Sequence, residues 1–142
     1  MDMDMDMDTE TQQALIAAAT AAHARAYAPY SHFQVGAAVL DSAGRIFAGC
    51  NVENVSYGLT SCAERNAICR AVVEGARPIR AVAVVTAADT PTAPCGACRQ
   101  VLNEFAAEGD MVVILAGTNG KVHQTRLSIL LPESFSSFIP TS

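Results

Sequence analysis

No stretch of this chain approaches the ~20 consecutive apolar residues of a membrane span, although 51% of its 142 residues are hydrophobic. A soluble globular domain is therefore expected, and the length fits one domain with one core. A basic stripe is also missing. Net charge is -5, and the nine Lys and Arg residues are scattered. Proteins that hold a duplex or a long strand ordinarily carry such a stripe, so the expected partner is a small molecule, with no nucleic acid and no membrane. Met1 to Asp8 is not expected to be a secretory leader: it alternates Met and Asp, with neither a positive nor an apolar region. It reads as a solvated tail ahead of a single domain over residues 9–142, working in the cytoplasm. Finally, the cysteine count is five, not even. Without an export signal, metal or catalytic use is a better reading than a disulfide framework. Neither an internal repeat nor a linker breaks the chain.

What is present can be ordered into elements. Thr9 and Gln12 have capping-box spacing, and Leu15, Ala19, Ala22 and Ala26 recur at helical intervals. That helix must stop before Pro29. Val35–Leu40 and Arg45–Val52 read as strands joined by the turn Asp41-Ser42-Ala43-Gly44. Ser61–Gly75 reads as a helix, with Ala67, Ile68, Ala71 and Val72 as its apolar stripe. Ala81–Thr86 and Met111–Ala116 are continuous apolar runs, hence strands covered on both faces. Between them lie a Thr/Pro-rich loop and a helix over Cys95–Glu108. Strand, helix, strand makes a parallel pair with a right-handed crossover. Asn119-Gly120 then turns the chain into Lys121–Thr125, so the last strand runs antiparallel to its predecessor.

Two motifs open the two later helices: Cys62-Ala63-Glu64 and Pro94-Cys95-Gly96-Ala97-Cys98. Residues three apart on a first helical turn share a face, so Cys95 and Cys98 point together, and Cys62 joins them if the helix starts abut. Three thiolates hold a zinc ion and leave its fourth position open. Zinc with three thiolates carries about -1, and about -2 with bound hydroxide. Each helix N-terminus offsets roughly +0.5 of this, and Arg65 offers a full positive charge unless it faces solvent. Glu64 stands one turn away and is suited to move protons. Ser61-Cys62-Ala63-Glu64 also fits a capping box, which would occupy the same carboxylate. Cys50, at a strand end, stays open as a fourth ligand that would close the site. Cys69 is ~10 Å along the helix from Cys62, too far to share the ion.

These residues resemble the zinc-dependent cytidine deaminase family, in its short, three-cysteine, free-nucleoside form. The likeness runs from about Tyr27 to Phe135. It includes Tyr30-Ser31-His32-Phe33-Gln34-Val35-Gly36-Ala37-Ala38, Asn51-Val52-Glu53-Asn54, Ser56-Tyr57-Gly58, Cys62-Ala63-Glu64-Arg65, Cys95-Gly96-Ala97-Cys98-Arg99-Gln100, and Leu130-Leu131-Pro132 with Phe135. The resemblance implies a three-layer α-β-α fold on a mixed sheet of about five strands, its final strand antiparallel. It implies one Zn2+ per chain on Cys62, Cys95 and Cys98, with Glu64 as proton shuttle. Cytidine and 2′-deoxycytidine would be hydrolysed through zinc-bound hydroxide to uridine and 2′-deoxyuridine, with release of ammonia, in pyrimidine salvage. Asn51 and Glu53 would hold the ribose 3′-hydroxyl. Phe33 and Ala63 would contact the substrate. Arg65 and Gln100 would hydrogen-bond the thiolates. The family's usual assembly is a homotetramer, in which Phe135 would reach a neighbouring subunit's site.

Overall fold

The computed structural model describes residues 7–136. Its helices are α1 (Thr9–His23), α2 (Ala63–Val73), α3 (Gly96–Glu104) and α4 (Leu127–Leu130), and its strands are β1 (Val35–Asp41), β2 (Ile46–Cys50), β3 (Ile79–Thr86), β4 (Val112–Gly117) and β5 (Val122–Arg126). The strands form one five-stranded sheet in the order β2-β1-β3-β4-β5. β1 pairs antiparallel with both β2 and β3. β3 and β4 are parallel, and β5 returns antiparallel to β4. The mixed sheet and the antiparallel final strand are those expected from the sequence.

The apolar runs of β1, β3 and β4 divide by alternation, as successive side chains point to opposite faces. Ala37, Val39, Val82, Val84, Val113 and Leu115 face α2, α3 and α4, where Ala67, Ile68, Leu102 and Leu127 meet them. Ala38, Leu40, Ala81, Ala83, Val85, Val112, Ile114 and Ala116 form the other cluster, with Leu15 and Ala19 of α1. Helices therefore cover both faces, giving three layers. Two glycines permit the close approach. A Cβ on Gly36 would fall 2.0 Å from the Ala19 carbonyl oxygen of α1, and one on Gly49 would fall 2.5 Å from the Ala67 nitrogen of α2.

Several element ends differ from expectation, each for a local reason. Asp8, not Thr9, caps α1, and its carboxylate accepts from the Thr11 N–H at 2.6 Å. Met7 packs against the Leu15 cluster, so Met7 and Asp8 belong to the fold rather than to a solvated tail; residues 1–6 lie outside the described residues. α1 ends at His23 because the chain beyond it swings across to the sheet, where the Tyr27 N–H donates to the Asn51 carbonyl. β2 stops at Cys50 for the same reason. α2 starts at Ala63 rather than Ser61, since Ser61 pairs with Val52 through two backbone bonds of 2.9 Å. α3 ends at Glu104, where Ala106 turns to bridge Ile79.

The end of β1 remote from the cysteines holds a polar knot. Asp41 is fully buried. One carboxylate oxygen accepts from the Ala43 and Arg45 N–H groups, the other from Arg45 Nε and the Arg77 N–H. The Arg45 guanidinium also pairs with Asp41 at 2.9 Å and caps the C-terminus of α2 through the Glu74 and Gly75 carbonyls. Burial works to raise the Asp41 pKa, but these donors outweigh it and hold the carboxyl below its ordinary value of 3.8.

Candidate metal centre and active site

Cys62 and Cys95 are the residues immediately before α2 and α3, both in extended conformation, and neither caps its helix with a side-chain hydrogen bond. Both helices thus start, without a cap from the preceding side chain, at the place where the sulfurs gather. Cys98 lies on the first turn of α3 and is fully buried. The three sulfurs lie within 4.8 Å of one another, with Cys95 and Cys98 at 3.3 Å. A tetrahedral zinc with bonds near ~2.3 Å spaces its sulfurs about 3.8 Å apart, so the donor set fits that ion. Among the described residues no fourth Cys, His, Asp or Glu joins the group. Cys50, the open alternative, sits apart at the end of β2, and Cys69 is exposed.

Electrostatics agree with a metal-binding role. Hydrogen bonding from Cys98, helped by Arg65, lowers the Cys62 thiol to about 5. The Cys98 thiol is pushed up by its bond to Cys62 and by burial. A metal ion binds such thiols as thiolates and displaces their protons. Arg65 reaches Cys62 Sγ at 3.5 Å and the Thr60 carbonyl at 3.4 Å, so its guanidinium faces the site rather than solvent.

Glu64 is 5% exposed. The capping-box alternative does not form: the Ser61 N–H donates to Val52, and the Ser61 hydroxyl donates to Asn66 Oδ1 at 2.6 Å. Burial pushes the Glu64 carboxyl above its ordinary value, and the Cys62 thiolate adds to that shift.

A cleft of about 220 Å³ opens over these groups. It brings together Phe33, Asn51, Cys62, Ala63, Glu64 and Cys95 from the sequence-derived set. Val35, Thr60, Val84, Thr86, Thr92 and Ala93 complete its lining, and no sequence pattern assigns them a site role. Val84 and Thr86 end a strand that reads as plain core. Their signal is positional, since ligands in α/β sheets gather at the carboxyl ends of parallel strands. A larger cavity of about 390 Å³ lies at the opposite ends of β3 and β4, among Arg80, Asp110 and Arg126. It contains no thiol, and Arg126 there is paired with Asp110 at 3.1 Å.

The remaining sequence candidates are placed as follows. Asn51 accepts from the Val35 N–H and donates to the Phe33 carbonyl, both at 2.9 Å, which leaves it one donor hydrogen and one lone pair. Glu53 lies outside the cleft lining. Its carboxylate accepts from the Tyr30 and Ser31 N–H groups and the Ser31 hydroxyl; that hydroxyl above all holds its pKa below the ordinary value. Gln100 departs from its expected role: its side-chain amide donates to the Phe135 carbonyl at 2.9 Å instead of a thiolate. Residues two apart on a helix do not share a face, so Gln100 turns away from Cys98. Phe135 is exposed within this subunit.

Comparison with known proteins matches residues 9–116 to the model of the cytidine and deoxycytidylate deaminase zinc-binding region. A cytidine deaminase of Sporosarcina psychrophila is 49% identical over 115 residues, covering 81% of this chain and 84% of that protein. The crystal structure of cytidine deaminase from Burkholderia pseudomallei is 49% identical, with a TM-score of 0.83 over 91% of this chain and 100% of that one. A Mycobacterium tuberculosis cytidine deaminase structure is 42% identical, with a TM-score of 0.78 over 93% and 100% of the two chains. Three clustered thiols, a buried glutamate beside them and these likenesses agree: the chain belongs to the zinc-binding cytidine deaminase family.

Proposed function

We propose that this chain hydrolyses the 4-amino group of cytidine and 2′-deoxycytidine. The observation that carries this reading is Glu64: a buried carboxyl beside the three-thiolate group, lining the same cleft as Phe33 and Asn51. Zinc, when bound, supplies the Lewis acidity that brings ionisation of an attacking water near neutral pH. Cys62, Cys95 and Cys98 hold it. Arg65 and the starts of α2 and α3 offset thiolate charge that would blunt that acidity.

Glu64 takes a proton from the water as its oxygen bonds to C4 of the base, and delivers that proton to N3. It then carries the second water proton to the departing amino group. The C4–N4 bond breaks, ammonia leaves, and the C4 oxygen remains as the carbonyl of uridine or 2′-deoxyuridine. The Ala63 N–H, on the first residue of α2, has no intrahelical acceptor and is free to donate to the base. Phe33 packs on the ring. Asn51, with one donor and one lone pair unused, holds the ribose 3′-hydroxyl, and Glu53 supports it from the Tyr30–Ser31 turn.

The cleft of one subunit is small for a whole nucleoside. The cleft is about 220 Å³, below the ~300–1,000 Å³ of sites for larger ligands. Tyr27, Tyr30, Val52, Val55, Tyr57 and Leu59 leave exposed apolar surface on the subunit. This favours a homotetramer in which neighbours, through Phe135, complete each site. Work in the cytoplasm, in pyrimidine salvage, suits three thiols that must stay reduced; no described helix is long and apolar enough to cross a membrane.

The test is incubation of the purified, zinc-loaded chain with cytidine and 2′-deoxycytidine, following absorbance and ammonia together. Equimolar uridine and ammonia are expected; zinc retention without either product overturns the reading. Sedimentation equilibrium reads the assembly, with four chains expected.

A further inference from the structure

We propose that Asn66 is a positioning residue that sets the distance between the metal-bearing start of α2 and the strand end that carries Asn51. β2 is an edge strand of the sheet. The Asn51 N–H donates inward to the Val35 carbonyl, so the carbonyl of Cys50, on the same peptide unit, points outward. An outward edge carbonyl needs a partner or water. Asn66 Nδ2 meets it at 2.7 Å, and meets the Ser61 carbonyl at 3.5 Å. Asn66 Oδ1 accepts from the Ser61 hydroxyl at 2.6 Å. One amide thus grips the residue before Asn51 and the residue before Cys62.

The grip needs unusually close packing. Gly49 lies against the backbone of α2 between Ala63 and Ala67, with no room for a Cβ. A short side chain can span the gap only there. Asn66 lines no part of the cleft, so it acts through Asn51 and Cys62, not on substrate. Asparagine is also a weaker helix former than alanine, so its local preference does not account for its place in α2.

This inference rests on the ribose reading of Asn51. The experiment uses zinc-loaded Asn66→Ala and Asn66→Asp; the second keeps the shape and the acceptor but loses the donor to Cys50. Zinc content, KM and kcat for cytidine, and the inhibition constant of 2′,3′-dideoxycytidine are measured beside Asn51→Ala. Both Asn66 variants should keep one zinc per chain and a kcat within about twofold of the parent. KM for cytidine should rise about five- to tenfold, the worth of one hydrogen bond. Binding of the dideoxy compound should change less than twofold, because its missing hydroxyl has already removed the contact being displaced. If Asn51→Ala discriminates the two ligands while the Asn66 variants weaken both equally, or weaken neither, the positioning role is overturned. If Asn51→Ala fails to discriminate, the ribose reading falls and the proposal falls with it.

Discussion

Asp41 and Glu64 are chemically almost the same group, both buried to 5% exposure or less, yet their surroundings shift their pKa values in opposite directions. Asp41 lies below its ordinary pKa and Glu64 above. The difference is in their partners. Asp41 is surrounded by backbone N–H groups and the Arg45 guanidinium, which solvate its charge as well as water would. Glu64 is desolvated beside a thiolate, with its neighbour Arg65 turned to the sulfur instead. A compensated carboxylate knots a hairpin to a helix terminus. A carboxylate whose burial outweighs the contacts favouring its charge is placed to take and release a proton.

The largest separation of the two roles comes from replacing each carboxylate by its amide. Glu64→Gln should lower kcat by about 10²–10⁴-fold, the usual reach of general acid–base catalysis. Zinc should stay at one per chain, and stability should be unchanged or slightly higher, since burial disfavours the charge that is removed. Zinc analysis joined to the cytidine absorbance assay reads both; retention of substantial turnover removes Glu64 from the mechanism.

Asp41→Asn should do the reverse. It weakens charge-assisted bonds to Arg45 and Arg77, at a cost of about 3 kcal/mol. The midpoint of urea unfolding should drop while kcat per folded zinc-loaded chain stays put. A fall in kcat without a stability change would erase the contrast between the two ends of the sheet.

Acid sharpens the same comparison. The folded-state pKa of Asp41 is depressed, so its carboxylate contributes stability above the unfolded value near 3.8. That contribution fades as pH falls through the lower folded value. Parent and Asp41→Asn should therefore differ most at neutral pH and converge as pH drops below about 3.8. Urea unfolding from pH 6 to pH 2.5 checks it; a constant gap across that range would mean that Asp41 ionisation is not what stabilises the knot.

The contrast also marks what could be read from the chain alone. The apolar runs of β3 and β4 and the strand-turn-strand pattern of β1 and β2 are local, so the strands and the antiparallel return after Asn119-Gly120 follow from neighbouring residues; which layer each side chain joins does not, because a run that is apolar throughout marks neither face. The thiol group is legible because Cys95 and Cys98 are three apart, and Cys62 carries Glu64 beside it. Asp41 reads only as a turn residue. Its role depends on Arg77, 36 positions away, a distance no local pattern spans. Thr86 and Thr92 are likewise invisible as cleft residues: one ends an apolar strand, the other lies in an irregular loop. Gln100 shows the opposite failure. Its motif suggests the sulfurs, but helical phase sends it to the C-terminal segment.

The smallest expected effect concerns Cys50. It stands one residue from Asn51 and could close a three-ligand site if it swung in. The strand end is held against this from two sides, by the Asn51 N–H on Val35 and by Asn66 on the Cys50 carbonyl itself. Cys50→Ala should therefore leave one zinc per chain, with kcat within about twofold of the parent, well under the tenfold that 1.4 kcal/mol would give. Cys62→Ala, in contrast, should abolish stoichiometric zinc, because two thiolates cannot complete the three-point cradle. If Cys50→Ala loses the metal as completely as Cys62→Ala, four sulfurs close the ion off, no position is left for water, and Glu64 has no proton to move.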